Sequence, residues 1–249
     1  MSGHNKWSSI KHKKGAADAK RGKLFTRIVK EIILAARDGG GDLSSNPRLR
    51  TAVQAAKGAN MPKDNIEKAI KRGTGEIEGA AYEEITYEGY GHGGVAILVD
   101  VMTDNKNRSV AEIRHAFSKY GGSMAESGAV AWNFEQKGAI EIKSENIDED
   151  EFMMKALDLG ADDVEKADDV YIVYTQTTEL YKVVSSFEEE GFTIEKAELT
   201  RIPKTTINAD DVADKLLKLI DKIEDLDDVQ RVYANFDISD EALSKIDVD

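Results

Sequence analysis

Cysteine is absent from the 249-residue chain, which rules out a disulfide framework, a thiolate metal site and a cysteine nucleophile. That absence fits a reducing cytoplasm. Histidine is scarce. The four residues, His4, His12, His92 and His115, have no second His or carboxylate at the spacing of a metal-binding helix. Proline occurs three times, at Pro47, Pro62 and Pro203, each beside a break between periodic segments. No apolar run approaches the ~18 residues of a membrane helix. The stretch IVKEIILAAR is interrupted by charge where a secretory signal would be apolar. No serine sits in a nucleophile elbow, and the acidic clusters Asp148–Glu151, Asp162–Asp163 and Asp168–Asp169 lack the spacing of a calcium loop. An enzyme, a cofactor and a membrane partner are therefore not expected.

What is present is charge, distributed unevenly. The chain holds 34 Lys/Arg and 47 Asp/Glu, a net −13. Yet residues 1–75 carry 17 basic and 6 acidic residues (net +11), leaving 17 basic and 41 acidic (net −24) for the remainder. From Met1 to Lys30 there are nine Lys/Arg and one acid, Asp18. Neutralising phosphates, with release of their counterions, explains such a one-sided patch economically. Trp7 lies within the basic arm, where it could stack on a base or cover the helix core. The residues expected to contact nucleic acid are Lys6, Trp7, Lys11, His12, Lys13, Lys14, Lys20, Lys23, Arg27, Arg48 and Arg50.

Periodicity gives the organisation. Phe25, Ile28, Val29, Ile32, Ile33 and Ala36 form one apolar stripe of a helix from about Gly22 to Arg37. Lys20, Lys23, Arg27, Lys30 and Arg37 fall opposite it, so replacing Lys20, Lys23 or Arg27 should leave stability nearly unchanged. A second helix starts at Asn46-Pro47, and a third buries Ile66, Ala69 and Ile70 before Gly73. GTGEIEGAA reads as a linker, after which the period becomes two. Strands YEEITYEGY and GVAILVDVMT flank a glycine turn whose Gly89, Gly91 and Gly94 have dinucleotide-fingerprint spacing. A strand follows where that chemistry needs a helix, so a hairpin turn is expected. In TDNKNRS, Asp104 or Asn105 should cap a helix, with Lys106 and Arg108 exposed beside it. AVAWNFEQ reads as a further strand. From Gly138 the order β-α-β-β-α-β is that of a ferredoxin-like unit.

The expected fold is α+β: an N-terminal three-helix domain and two small α/β-sandwich (ferredoxin-like) domains, the third inserted in the second. The boundaries are 1–78, 79–136 plus 203–249, and 137–202, because a helix (Ala209–Ile223) and a strand (Gln230–Phe236) are left over to complete the second domain.

The segments GHNKWSSIKHKKGAADAKRGKLFTRIVKEI, NPRLRTAVQAAKGANMPKDNIEKAIKRGTGE, YEEITYEGYGHGGVAILVDVMTDNKNR and EIRHAFSKYGGSMAESGAVAW resemble the YebC family. The similarity spans nearly the whole chain and is strongest from Gly3 to Trp132. It implies three domains around a central cleft, no catalytic activity and a cytoplasmic role in gene expression. Members are described as DNA-binding transcriptional regulators, or as ribosome-bound translation factors that aid synthesis of proline-rich stretches. The sequence supports what both share, polyanion contact by the N-terminal domain. It leaves open DNA against ribosomal RNA, the target site and the oligomeric state.

Overall fold

The computed structural model describes residues 17–144, 147–167, 169–244 and 246, without the side chains of residues 17–21. It divides into two compact units: Phe134–Ile202, and the residues on either side of that segment.

The larger unit begins with helices α1 (Ala17–Gly39), α2 (Pro47–Gly58) and α3 (Lys63–Gly73). Asn46 fixes the first corner. Its Oδ1 accepts from the Leu49 N–H at 3.0 Å, while its Nδ2 donates to Ala35 O and Gly40 O at 2.7 Å. One buried side chain thus starts α2 and satisfies carbonyls at the end of α1. Both later helices pack across α1 and bury Ile28, Ile32, Ile33, Leu49, Val53 and Ile66. Gly73 approaches Ile33 O so closely that a Cβ would collide with it.

Next come β1 (Glu83–Tyr90), β2 (Ala96–Thr103), α4 (Lys106–Lys119) and β3 (Ser123–Ala125). The glycine cluster makes the β1–β2 turn, with Gly93 and Gly94 at φ 70° and 75°. As expected, β2 follows directly, so no helix N-terminus meets this loop.

The smaller unit holds β4 (Phe134–Lys143), α5 (Glu149–Asp158), β5 (Asp163–Ala167), β6 (Val170–Thr175), α6 (Leu180–Glu189) and β7 (Ile194–Pro203). Its sheet order is β5-β6-β4-β7, the ferredoxin-like arrangement. Phe152 of α5 stacks on Tyr171 with ring centroids 4.3 Å apart, and Phe187 and Phe192 close the same core.

The chain then returns to the larger unit through β8 (Ile207–Asn208), α7 (Ala213–Glu224), β9 (Val229–Ala234), β10 (Phe236–Asp237) and α8 (Asp240–Ser244). There β9 pairs antiparallel with β2, completing a sheet of order β3-β1-β2-β9. Helices α4 and α7 cover it around Val99, Ile113, Phe117, Leu216 and Ile220. The fold is thus α+β, with the ferredoxin-like segment inserted ahead of the strand that finishes the preceding sheet.

One expected strand is absent. AVAWNFEQ is divided between a 3-10 turn (Ala131–Asn133) and the start of β4. The cause is Glu88, a buried carboxylate that accepts from the N–H groups of Gly128, Val130 and Ala131 at 2.6, 2.7 and 2.9 Å. Those donors are then not available to a ladder.

Because its core is formed from its own helices and sheet, the segment 134–202 is expected to fold when expressed alone. A cooperative thermal transition followed by circular dichroism checks this, and a featureless melt would mean that the segment depends on the rest of the chain.

Candidate nucleic-acid interface

Among the sequence-derived contacts, Lys6, Trp7, Lys11, His12, Lys13 and Lys14 lie outside the described residues, as does the side chain of Lys20. The other four are Lys23 and Arg27 on α1, and Arg48 and Arg50 on α2.

The basic side of α1 does not simply face solvent. Lys30 is only 5% exposed, and Leu34, one turn further on, is fully buried. This corrects the single-stripe reading of the helix: α1 buries a second face against the C-terminal end of α7 and the turn into β9. Lys30 Nζ donates to Met102 O and Asp227 O at 3.0 Å and to Asp228 Oδ1 at 2.9 Å. Arg27 Nη2 donates to Glu224 O, and Lys23 Nζ donates to Asp225 O at 2.7 Å and to its Oδ1 at 3.2 Å. Carbonyls at a helix C-terminus lack intrahelical donors and carry the negative end of the helix dipole, so Arg27 at Glu224 O and Lys23 at Asp225 O answer a real electrostatic demand. Burial lowers the pKa of Arg27 below its ordinary value, against the opposing pull of Glu224 and Asp225. Arg27 is therefore tied to stability, contrary to the neutral substitution expected from periodicity alone.

Asp228 is the centre of this contact. Besides Lys30, its carboxylate accepts from Thr103 Oγ1 (3.0 Å), Ser109 Oγ (2.7 Å) and Arg108 Nε and Nη2 (3.2 and 2.7 Å). Burial would raise its pKa, but hydrogen bonds from Arg108, Lys30 and Ser109 outweigh that and hold the carboxyl well below the usual range. Of the two candidate caps it is Asn105 that caps α4, its Oδ1 accepting from the Arg108 N–H at 3.1 Å. Lys106 pairs with Glu83 at 2.6 Å, so both cations of this turn meet protein carboxylates.

Arg48 is also paired. Its guanidinium grips both oxygens of Glu31 (2.7 and 3.2 Å) and reaches Glu84 (2.8 Å) and Asp38 (3.3 Å), tying α2 to α1 and to β1. Burial opposes its charge, but Glu31 and Glu84 raise its pKa above the ordinary value. Arg50 Nη1 donates to Leu43 O at 3.1 Å. The structure thus brings Lys23 and Arg27 together, and leaves Arg48 and Arg50 apart from them. A cleft of about 330 Å³ beside Lys23 and Arg27 also receives Asp227, so its charge is mixed.

Other cations of the helical region were not singled out from sequence. Lys57 on α2 and Lys68, Lys71 and Arg72 on α3 are exposed and make no ion pair among the described residues. The signal of the three on α3 was diluted by Asp64 and Glu67 on the same short helix. Among the described residues no group of three or more His, Asp or Glu could hold a metal ion, and no helix is long and apolar enough to cross a membrane.

Comparison with known proteins matches this architecture. Residues 5–76 match the family profile of the TACO1/YebC protein N-terminal domain, and residues 82–236 that of the TACO1/YebC second and third domain. A probable transcriptional regulatory protein of Syntrophobacter fumaroxidans is 58% identical over 248 residues, covering 99% of this chain and all of the relative. A protein of the same description from Trichlorobacter lovleyi is 56% identical over 247 residues, with the same coverage. The crystal structure of a conserved hypothetical protein from Aquifex aeolicus superposes with a TM-score of 0.87 at 50% identity, covering 95% of this chain and 98% of that one. With both profiles accounting for nearly all of its length, the chain belongs to the TACO1/YebC family.

Proposed function

We propose that the protein is a non-enzymatic, cytoplasmic regulator of gene expression that binds nucleic acid through its N-terminal helical domain. The observation that carries this reading is the polarity of the chain. Residues 1–75 have a net charge of +11, whereas residues 134–202 hold 19 Asp/Glu and seven Lys/Arg, a net −12. A phosphate backbone is attracted to one and repelled by the other. The name borne by the relatives, probable transcriptional regulatory protein, favours DNA as the target. Lys30 and Arg48 are held by protein carboxylates, so the phosphate contacts fall to the N-terminal arm and to Lys57, Lys68, Lys71 and Arg72.

A second reading, ribosomal RNA, rests on α1. Base readout by a helix requires a free face to enter a major groove. The described part of α1 is flanked on one side by α2 and α3 and on the other by α7, which favours recognition of backbone and shape over base edges. Crosslinking the protein in cells and sequencing the attached nucleic acid separates the two. Discrete genomic footprints support the DNA reading, and enrichment of ribosomal RNA with co-sedimentation on ribosomes supports the second. Recovery of neither rejects both.

A further inference from the structure

Helix α5 carries more apolar surface than its own fold uses. Phe152 and Ala156 enter the core of the ferredoxin-like unit, at 2% and 0% exposure. Met153, Met154 and Leu157 stay outside it, exposed by 37%, 68% and 55%. At 100° per residue these three fall within one strip about 100° wide, and Asp150 continues the same strip one turn earlier. Asp158 borders it. Scattered single apolar side chains on a surface need no explanation, but three adjoining ones on a three-turn helix do. Nothing in the sheet or in α6 requires them: none belongs to the core cluster or packs against it.

We propose that this strip is a docking surface for a basic amphipathic helix of a protein partner. Charge complementarity selects the occupant. The strip is an apolar island in a unit of net charge −12, whose first helical turn is Glu149, Asp150 and Glu151. A partner helix with leucines on one face and lysines around them would bury Met153, Met154 and Leu157 while its cations met the rim. Methionine suits the task because its unbranched, polarisable side chain adapts to partners of different shape. The strip is made only of residues of the ferredoxin-like unit, none of them in the basic N-terminal region, so one chain can hold a polyanion and a polycation by different parts.

The experiment uses the full chain and a synthetic amphipathic helix with Leu on one face and Lys elsewhere, followed by fluorescence anisotropy at physiological ionic strength. A scrambled peptide of the same composition keeps the charge and removes the apolar face. The patterned peptide is expected to bind about tenfold or more tighter than the scrambled one, an advantage that Met154→Ser with Leu157→Ser abolishes. Both substitutions lie on exposed positions, and an unchanged circular dichroism spectrum and melt establish that the variant is folded. Met154→Ser alone provides a milder check, with an intermediate loss. Equal binding of the two peptides, or an unaltered advantage in the double variant, overturns the proposal in favour of diffuse electrostatics. A wild-type dimer that the same variant dissociates would make a second copy the occupant and would also overturn it. So would a rise in peptide affinity on Lys13→Ala with Lys14→Ala, which would mark the chain's own arm as the competitor.

Discussion

Replacing Asp228 with asparagine is expected to destabilise the protein by about 3–5 kcal/mol, the usual result of removing one partner from a buried ion pair. Lys30 would be left as a buried ammonium facing two carbonyls and an amide, without a counter-charge. Thr103 and Ser109 would lose their shared acceptor, while Arg108 would retain Asp104 at 2.9 Å. Lys30→Met should cost a comparable amount for the converse reason. The double variant should cost less than the sum, because the second change removes a charge that the first left unpaired. The pH dependence has a definite sign. A carboxyl held below its unfolded value stabilises the fold above that value, near pH ~4, and loses its contribution as pH falls from there toward the folded pKa. The gap between wild type and Asp228→Asn should therefore be widest at neutral pH and narrow in acid. Urea unfolding across that range measures it. A loss below about 1 kcal/mol at neutral pH would mean that the pair behaves as a solvated one.

This same cluster shows why sequence reading stopped where it did. The apolar stripe of α1 was legible because it repeats every three or four residues, and Ile28, Ile32 and Ile33 are buried as that repeat requires. The second buried face was not, since Lys30 has the composition of an ordinary surface lysine. Its counter-charge, Asp228, is 198 residues away, and its carbonyl acceptors Met102 and Asp227 are also distant in sequence. AVAWNFEQ has the alternation of a strand, and a single carboxylate on β1 removes two of its backbone donors, those of Val130 and Ala131, from any ladder. The inserted unit, by contrast, is written in local order. Its β-α-β-β-α-β succession lies within one uninterrupted segment, and the leftover α7 and β9 could only belong to the sheet before it. Of the candidate interface, the basic arm was visible as bare composition. The division of labour among its cations was not, because it depends on which carbonyls and carboxylates fold back against them.

That division makes the effect of the arm separable. Changing Lys6, Lys11, Lys13 and Lys14 to alanine is expected to weaken nucleic-acid binding by about a thousandfold at ~0.1 M salt, if each contacts a phosphate. The salt dependence of log K should flatten by about 0.9 per lysine on duplex DNA, or about 0.7 on single strands. Sequence preference should not change, since phosphate contacts position a protein without reading bases. Arg27→Ala is the informative counterpart. Its guanidinium donates to Glu224 O, so its loss should appear first as a lower melting temperature, with the salt slope little altered in the folded protein. A lysine that only holds the fold together changes stability, one that only meets phosphate changes the slope, and the two measurements sort the cations without assuming the target. On the proposed function the inserted unit sharpens the contrast: at net −12 it should repel a polyanion, so the attraction is expected from the basic region. Parallel salt titrations of wild type and the fourfold arm variant, on every nucleic acid tried, would show that the arm is merely solvated and would leave the phosphate contacts to Lys57, Lys68, Lys71 and Arg72.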